Sequence, residues 1–195
     1  MPPRRYAVFG LLDASTARVV RPLQQQLAAL TGNDLALRFP VHVTLRGRFW
    51  AEPEPVGDVL NELDLDGEHT GEFLLCGPAF REPDLLWLSV EPDGPGTAVM
   101  QRLHGLLMNA FGTVVIRDET SAAHAGSGYR PHVTLAWGAT EGTLIGLGRD
   151  DRGIAVTATL EKVVLAEYPD TWPASGSVTA VAELRHRLKS VRASH

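Results

Sequence analysis

The chain of 195 residues has one cysteine, Cys76, and only two lysines, Lys162 and Lys189, against sixteen arginines. A single cysteine excludes an internal disulfide and points to a reducing compartment. With two lysines, neither in a Lys-x-Asp-Gly context, there is no nucleophile for an ATP-dependent ligase. No Gly-x-x-x-x-Gly-Lys-Ser/Thr phosphate loop occurs; Gly94-Pro95-Gly96-Thr97 lacks the lysine and reads as a turn and helix start. No His-Glu-x-x-His and no cysteine cluster offers zinc-ligand spacing, so no metal or other cofactor is expected. The region around Ser127 lacks the Gly-x-Ser-x-Gly of a hydrolase nucleophile. No apolar run has the length of a signal core or a membrane span, so a cytoplasmic chain without a membrane partner is expected. The net charge of −5 disfavours bulk binding of polyanions, so any phosphate must be met by local arginines.

What the chain does have is a repeat. His-Val-Thr-Leu stands at His42–Leu45 and again at His132–Leu135, ninety positions later. Histidine is scarce, with seven in the chain, so its use in both copies carries weight. The surroundings also match. Phe39-Pro40-Val41 precedes one copy, Tyr129-Arg130-Pro131 the other, and Phe49 and Trp137 close the two runs.

Hydrophobic periodicity places both copies on strands. Arg5–Leu12 reads as a buried strand, with Asp13 and Ser15 as helix caps. Val19, Leu23, Leu27 and Leu30 then recur at helical spacing to a stop at Gly32, with Pro22 expected to kink the helix or delay its start. Val41–Phe49 is the first motif strand, and Val56–Leu63 a short helix after Pro53 and Pro55. Glu72–Phe80 and Leu85–Glu91 are strands joined by a turn. Pro95 and Thr97 open a helix with the stripe Val99, Leu103, Leu106 and Ala110, closed by Gly112. Val114–Arg117 is a short strand, Asp118–Tyr129 a loop, and Arg130–Trp137 the second motif strand. Ile154–Tyr168 and Val178–Leu188 complete the set. The order strand, helix, motif strand thus occurs twice. It suggests an ancient duplication with two pseudo-symmetric lobes, in a single domain over residues 1–188 with a basic, frayed tail at 189–195.

In a strand, residues i and i+2 share a face. His42 and Thr44 therefore face one way and Val43 and Leu45 the other; His132, Thr134, Val133 and Leu135 repeat this. The same parity puts Arg46 and Arg130 on the polar face and Trp137 on the core side. If the polar faces meet, a groove holds two imidazoles, two hydroxyls and one or two guanidinium groups. With an ordinary pKa of about 6.5, one imidazole of such a pair can be neutral and the other protonated near neutral pH. That is the equipment of metal-free acid–base chemistry at a phosphodiester, with threonines and arginines on the non-bridging oxygens. One His-x-Thr alone is compatible with a structural role; two in matched contexts point to chemistry. His104 reads as helix packing, and His124 as a solvated loop residue. Phe9 and Tyr129 are aromatics available for base stacking near the groove.

At these residues the chain resembles the 2H phosphoesterase superfamily, and most closely its branch of 2′-5′ RNA ligases and RNA 2′,3′-cyclic phosphodiesterases. The resemblance runs from about Arg5 to Tyr168. RYAVFGLL, HVTLRGRF, Leu85-Leu86-Trp87-Leu88 and RPHVTLAWG carry it. In many relatives a Phe-Leu-Gly-like run follows the first motif, where this chain has Arg46-Gly47-Arg48-Phe49. The resemblance implies a bilobal α+β fold of two pseudo-symmetric lobes, with antiparallel sheets around a central concave cleft. It implies His42 and His132 as the acid–base pair, and Thr44 and Thr134 as phosphate-binding groups. It implies RNA ends or cyclic nucleotides as substrates, and a monomer is expected. Cyclic-phosphate hydrolysis, ATP-independent 2′-5′ ligation at the same site, and a non-catalytic RNA- or nucleotide-binding module all stay open on the sequence.

Overall fold

The computed structural model describes residues 1–65, 71–82, 84–120, 125–147, 153–170, 172–173 and 177–184. His69, His124 and the expected tail at 189–195 lie outside them. Among the described residues are eight strands and four α-helices. In chain order they are β1 (Arg4–Leu12), α1 (Ala14–Thr31), β2 (His42–Ala51), α2 (Pro53–Glu62), β3 (Glu72–Glu82), β4 (Leu85–Val90), α3 (Pro95–Gly112), β5 (Arg117–Asp118), β6 (His132–Trp137), α4 (Glu141–Gly146), β7 (Ile154–Glu167) and β8 (Thr179–Glu183). Among the described residues no helix is long and apolar enough to cross a membrane.

The fold is α+β and its strand pairs are antiparallel, as expected. The two lobes share one curled sheet in the order β5-β2-β1-β7-β3-β4-β6, with β8 also on β7. The link is β7, which pairs β3 through Ile154–Thr159 and β1 through Leu160–Glu167. β1-α1-β2 and β4-α3-β6 are the repeated units, and in each the first strand pairs directly with its motif strand.

One face of the sheet is covered by α1 and α3. Val20, Leu23 and Leu27 of α1, and Leu103, Leu107 and Phe111 of α3, pack with Val43, Leu45, Val133 and Leu135 in one buried cluster. Burying four such motif side chains is worth about 1.5–3 kcal/mol each. A second cluster, Ala7, Phe9, Phe39, Val164, Ala166 and Tyr168, lies on the opposite face. The helix stripes differ from the expected ones. Val19, Leu30 and Leu106 are exposed, and Val20, Leu107 and Phe111 are buried instead. Leu23, Leu27, Val99 and Leu103 are buried as expected, so each stripe departs only toward its ends, which periodicity over a short window resolves poorly.

Helix α1 does not start late: it begins at Ala14 and carries Pro22 inside it. Asp13 caps it, accepting from Ser15 N–H and Thr16 N–H, and accepts from Thr159 N–H of β7 as well. With the Ser15 and Thr16 hydroxyls, which also donate to it, these donors hold the Asp13 carboxyl well below its usual range in spite of its burial. Helix α2 begins on Pro53 rather than after it, because proline suits the first helical turn. The strand expected at Val114–Arg117 is reduced to Arg117–Asp118, and α4, with its Thr140/Thr143 capping box, was not anticipated.

Candidate active site

Each motif strand meets its partner with the same irregularity. In the β1–β2 ladder Phe9 pairs Thr44 but Val8 pairs Arg46, so Leu45 is an extra residue. In the β4–β6 ladder Trp87 pairs Thr134 but Leu86 pairs Ala136, so Leu135 is an extra residue. A bulge flips the faces of everything after it. The burial pattern from Val41 to Phe49 accordingly repeats residue for residue from Pro131 to Ala139.

Before the bulges, parity holds. The Nδ1–H of His42 donates to Pro40 O at 2.8 Å, and that of His132 donates to Arg130 O at 2.7 Å. Each bond reaches back two residues and fixes the same tautomer, leaving Nε2 as the reactive nitrogen. Each ring also lies against the aromatic of the adjacent strand. His42 is 3.9 Å from Phe9, and His132 is 3.9 Å from Trp87, between ring centroids. Thr44 Oγ1 donates to His42 Nε2 at 3.3 Å. Burial, reinforced by the charge of Arg21 and opposed by the bond to Pro40, pushes the His42 pKa down to about 4.

Thr44, Arg130, His132 and Thr134 line one cleft of about 510 Å3. His42 sits behind Thr44, against Phe9 and Phe39. The cleft therefore brings the second half-site and both threonines to its surface and reaches the first imidazole through Thr44.

After the bulges, two expectations fail. Arg46 does not enter the cleft. It is 1% exposed, with Nη2 donating to Asp118 Oδ2 at 2.7 Å and Nη1 to Thr120 Oγ1 at 2.8 Å. Its guanidinium lies 4.7 Å from the Phe49 ring centroid. Trp137 is not core. It lines the cleft beside Phe39, Tyr168 and Trp172, which form an aromatic wall with centroids 5.0–6.2 Å apart around Phe39. Arg48 reaches the cleft because a second register shift opposite Ala7 follows the first. It is exposed and 3.8 Å from Glu119.

Arg130 stays at the mouth, exposed, donating to Ser127 O at 2.9 Å and Tyr129 O at 3.0 Å. Tyr129 and Phe9 are buried, so neither stacks on a base. His104 is packing, as expected: both ring nitrogens are bonded, to Leu45 O and to Gly126 N–H, and Tyr129 stacks on the ring. Glycine is required at Gly47, where a Cβ would collide with the Thr120 side chain. Among the described residues no group of three His, Cys, Asp or Glu side chains gathers as a metal site.

The curled sheet thus carries one histidine half-site on each lobe. No family model matches the chain, and no curated protein matches it significantly. Solved structures do. E. coli LigT in complex with NADP+ superposes with a TM-score of 0.58 at 14% identity, over 94% of this chain and 98% of that one. The protein TT0787 of Thermus thermophilus gives 0.55 at 16%, over 94% and 99%. A crystal structure described as a phosphoesterase gives 0.52 at 14%, over 94% and 96%. The chain has the fold of LigT, along nearly its full length.

Proposed function

We propose that the chain is a phosphoesterase of the 2H type, which opens 2′,3′-cyclic phosphates on RNA ends or nucleotides to 2′-phosphates. The observation that carries this reading is the twinned half-site. Two imidazoles have the same tautomer, the same kind of aromatic backing and a threonine two residues on; His132 lines the cleft, and His42 lies directly behind Thr44, which lines it too.

His42 suits the general base, because its burial keeps it neutral at ordinary pH with a lone pair on Nε2. It takes a proton from water as the water oxygen attacks phosphorus. His132 gives its Nε2 proton to the ribose 3′-oxygen as the bond from phosphorus to that oxygen breaks. The 2′-phosphate remains. With substrate bound, the Thr44 hydroxyl turns from His42 Nε2 to a non-bridging oxygen, which frees that lone pair for the water; Thr134 donates to the other non-bridging oxygen, and Arg130 and Arg48 supply positive charge at the mouth. These groups need no metal and no ATP. Trp137, on the cleft wall at 35° to Phe39 and with Trp172 edge-on to Phe39 at 76°, offers an aromatic ring to a nucleobase. LigT has been crystallised with 3′-AMP, with ATP and with NADP+, which supports a nucleotide-sized ligand here. All these groups come from one chain, which fits action as a monomer.

The test is incubation with an RNA ending in a 2′,3′-cyclic phosphate, with and without a 5′-hydroxyl RNA, followed by product analysis. The 2′-phosphate is expected. A joined strand would instead mean that a ribose hydroxyl replaces water at the same site. Binding without turnover would mean a recognition module.

A further inference from the structure

The curled sheet brings its two motif strands together, and β2 and β6 are in contact. Among the described residues no backbone ladder joins them. The bonds Leu12 N–H to Val41 O and Val90 N–H to Pro131 O set the phase of the two ladders. Antiparallel pairs alternate, so Phe9–Thr44 and Trp87–Thr134 are both non-hydrogen-bonded pairs. The peptide groups of Thr44 and Thr134 therefore turn away from β1 and β4, toward the seam between the motif strands.

A buried carbonyl at an open seam needs a donor. Each of these two receives one from the opposite lobe. Tyr129 Oη, just before β6, donates to Thr44 O at 2.9 Å. Gln24 Nε2, on α1, donates to Thr134 O at 2.9 Å. Both side chains are buried, at 5% and 3% exposure. Tyr129 is held flat on His104 with 4.1 Å between centroids and 4° between planes, and His104 in turn donates to Leu45 O at the bulge. The Oε1 of Gln24 has no hydrogen-bond partner. An unpaired buried amide oxygen is unfavourable, and an apolar side chain would fill the space without it. The amide is there for its donor.

We propose that Gln24 and Tyr129 are positioning residues that stitch the seam and set the separation of the two half-sites across the scissile phosphate. The proposal rests on the phosphoesterase reading and extends it. An acid and a base acting on opposite sides of one phosphorus must both be in reach, and a displacement of about 1 Å costs on the order of 100-fold in rate. The polar ends of Gln24 and Tyr129 are engaged with backbone, so they act through the placement of Thr44 and Thr134.

The experiment compares the intact chain with Tyr129→Phe, Gln24→Met and the double variant. Steady-state kinetics on a 2′,3′-cyclic nucleotide should show kcat down about tenfold or more for each single variant, with KM changed less than about threefold. The double variant should be little worse than the worse single, because either cut opens one seam. Histidine ring NMR with inorganic phosphate provides a readout independent of turnover. In the wild type the His42 and His132 signals should respond together at one phosphate concentration; in the variants the joint response should be lost while melting temperature stays within a few degrees. Unchanged kcat together with a retained joint response in both variants would overturn the proposal. So would a lowered melting temperature with normal kcat per folded molecule, which marks a structural role only. A wild type that turns nothing over but shows the joint response lost in both variants would support the stitching and refute the hydrolase reading.

Discussion

Nη2 of Arg46 lies 2.7 Å from Oδ2 of Asp118, behind the cleft wall rather than in the cleft. The pair is asymmetric: the arginine side chain is 1% exposed and the aspartate 39%. Removing the aspartate strands a buried guanidinium, whereas removing the arginine leaves a carboxylate that water can still reach. Asp118→Ala should therefore cost about 1–3 kcal/mol in chemical denaturation, since solvent screens the aspartate and Arg46 keeps Thr120 and Gly47 O, and Arg46→Met should cost less. Both should keep kcat per folded molecule near wild type. A large fall in kcat with unchanged stability would return Arg46 to the substrate.

The threonines should behave alike, because their environments are alike. Thr44→Val or Thr134→Val should lower kcat/KM by about 1–3 kcal/mol each, the worth of a hydrogen bond to a charged oxygen. Melting curves should hardly move, since both hydroxyls face the cleft. A variant with wild-type kcat/KM would remove that hydroxyl from the phosphate.

The pH dependence follows from His42. Its pKa is lowered to about 4, so the base is neutral above that pH and lost below it. The acid limb of kcat/KM should lie near pH 4, well below the 6.5 of an ordinary imidazole, and an alkaline limb should mark deprotonation of the acid. The same shift links to stability. Between pH 6.5 and 4 the unfolded chain binds a proton at this histidine that the fold does not, so stability falls as pH drops through that window. An acid limb at pH 6.5, or a profile flat from pH 4 to 9, would contradict this assignment.

The aromatic wall predicts a binding effect. Trp137→Ala should raise KM for a nucleotide substrate by about 1–3 kcal/mol of lost stacking and leave kcat largely intact. No change in KM for any base would place the base elsewhere.

Much of this site was legible in the sequence, and the bulges mark where legibility stopped. Period-two parity placed His42, Thr44, His132 and Thr134 on one face, and the structure agrees as far as Thr44 and Thr134. Beyond them the extra residue at Leu45 and Leu135 inverts the faces. The inversion buries Arg46 and exposes Trp137 to the cleft, so one unseen feature produced both errors. Nothing in Leu45 or Leu135 announces a bulge; no glycine marks it. The repeat itself offered the signal, since a feature shared by both copies shifts both alike. Asp118, Glu119, Tyr129 and Gln24 were out of reach for another reason. Their roles depend on Arg46, on Trp50, whose Nε1–H donates to Glu119 Oε1 at 2.9 Å, on Thr44 and on Thr134, which lie 72, 69, 85 and 110 positions away and which folding alone brings near.

The most direct test of the paired half-sites is the turnover of a 2′,3′-cyclic phosphate by His42→Ala, His132→Ala and the double variant, with folding checked by circular dichroism. Each single variant should lose about 10²–10⁴ in kcat, and the double should be little worse than the poorer single, because the two imidazoles act in one step. A folded single variant with full turnover would contradict the account.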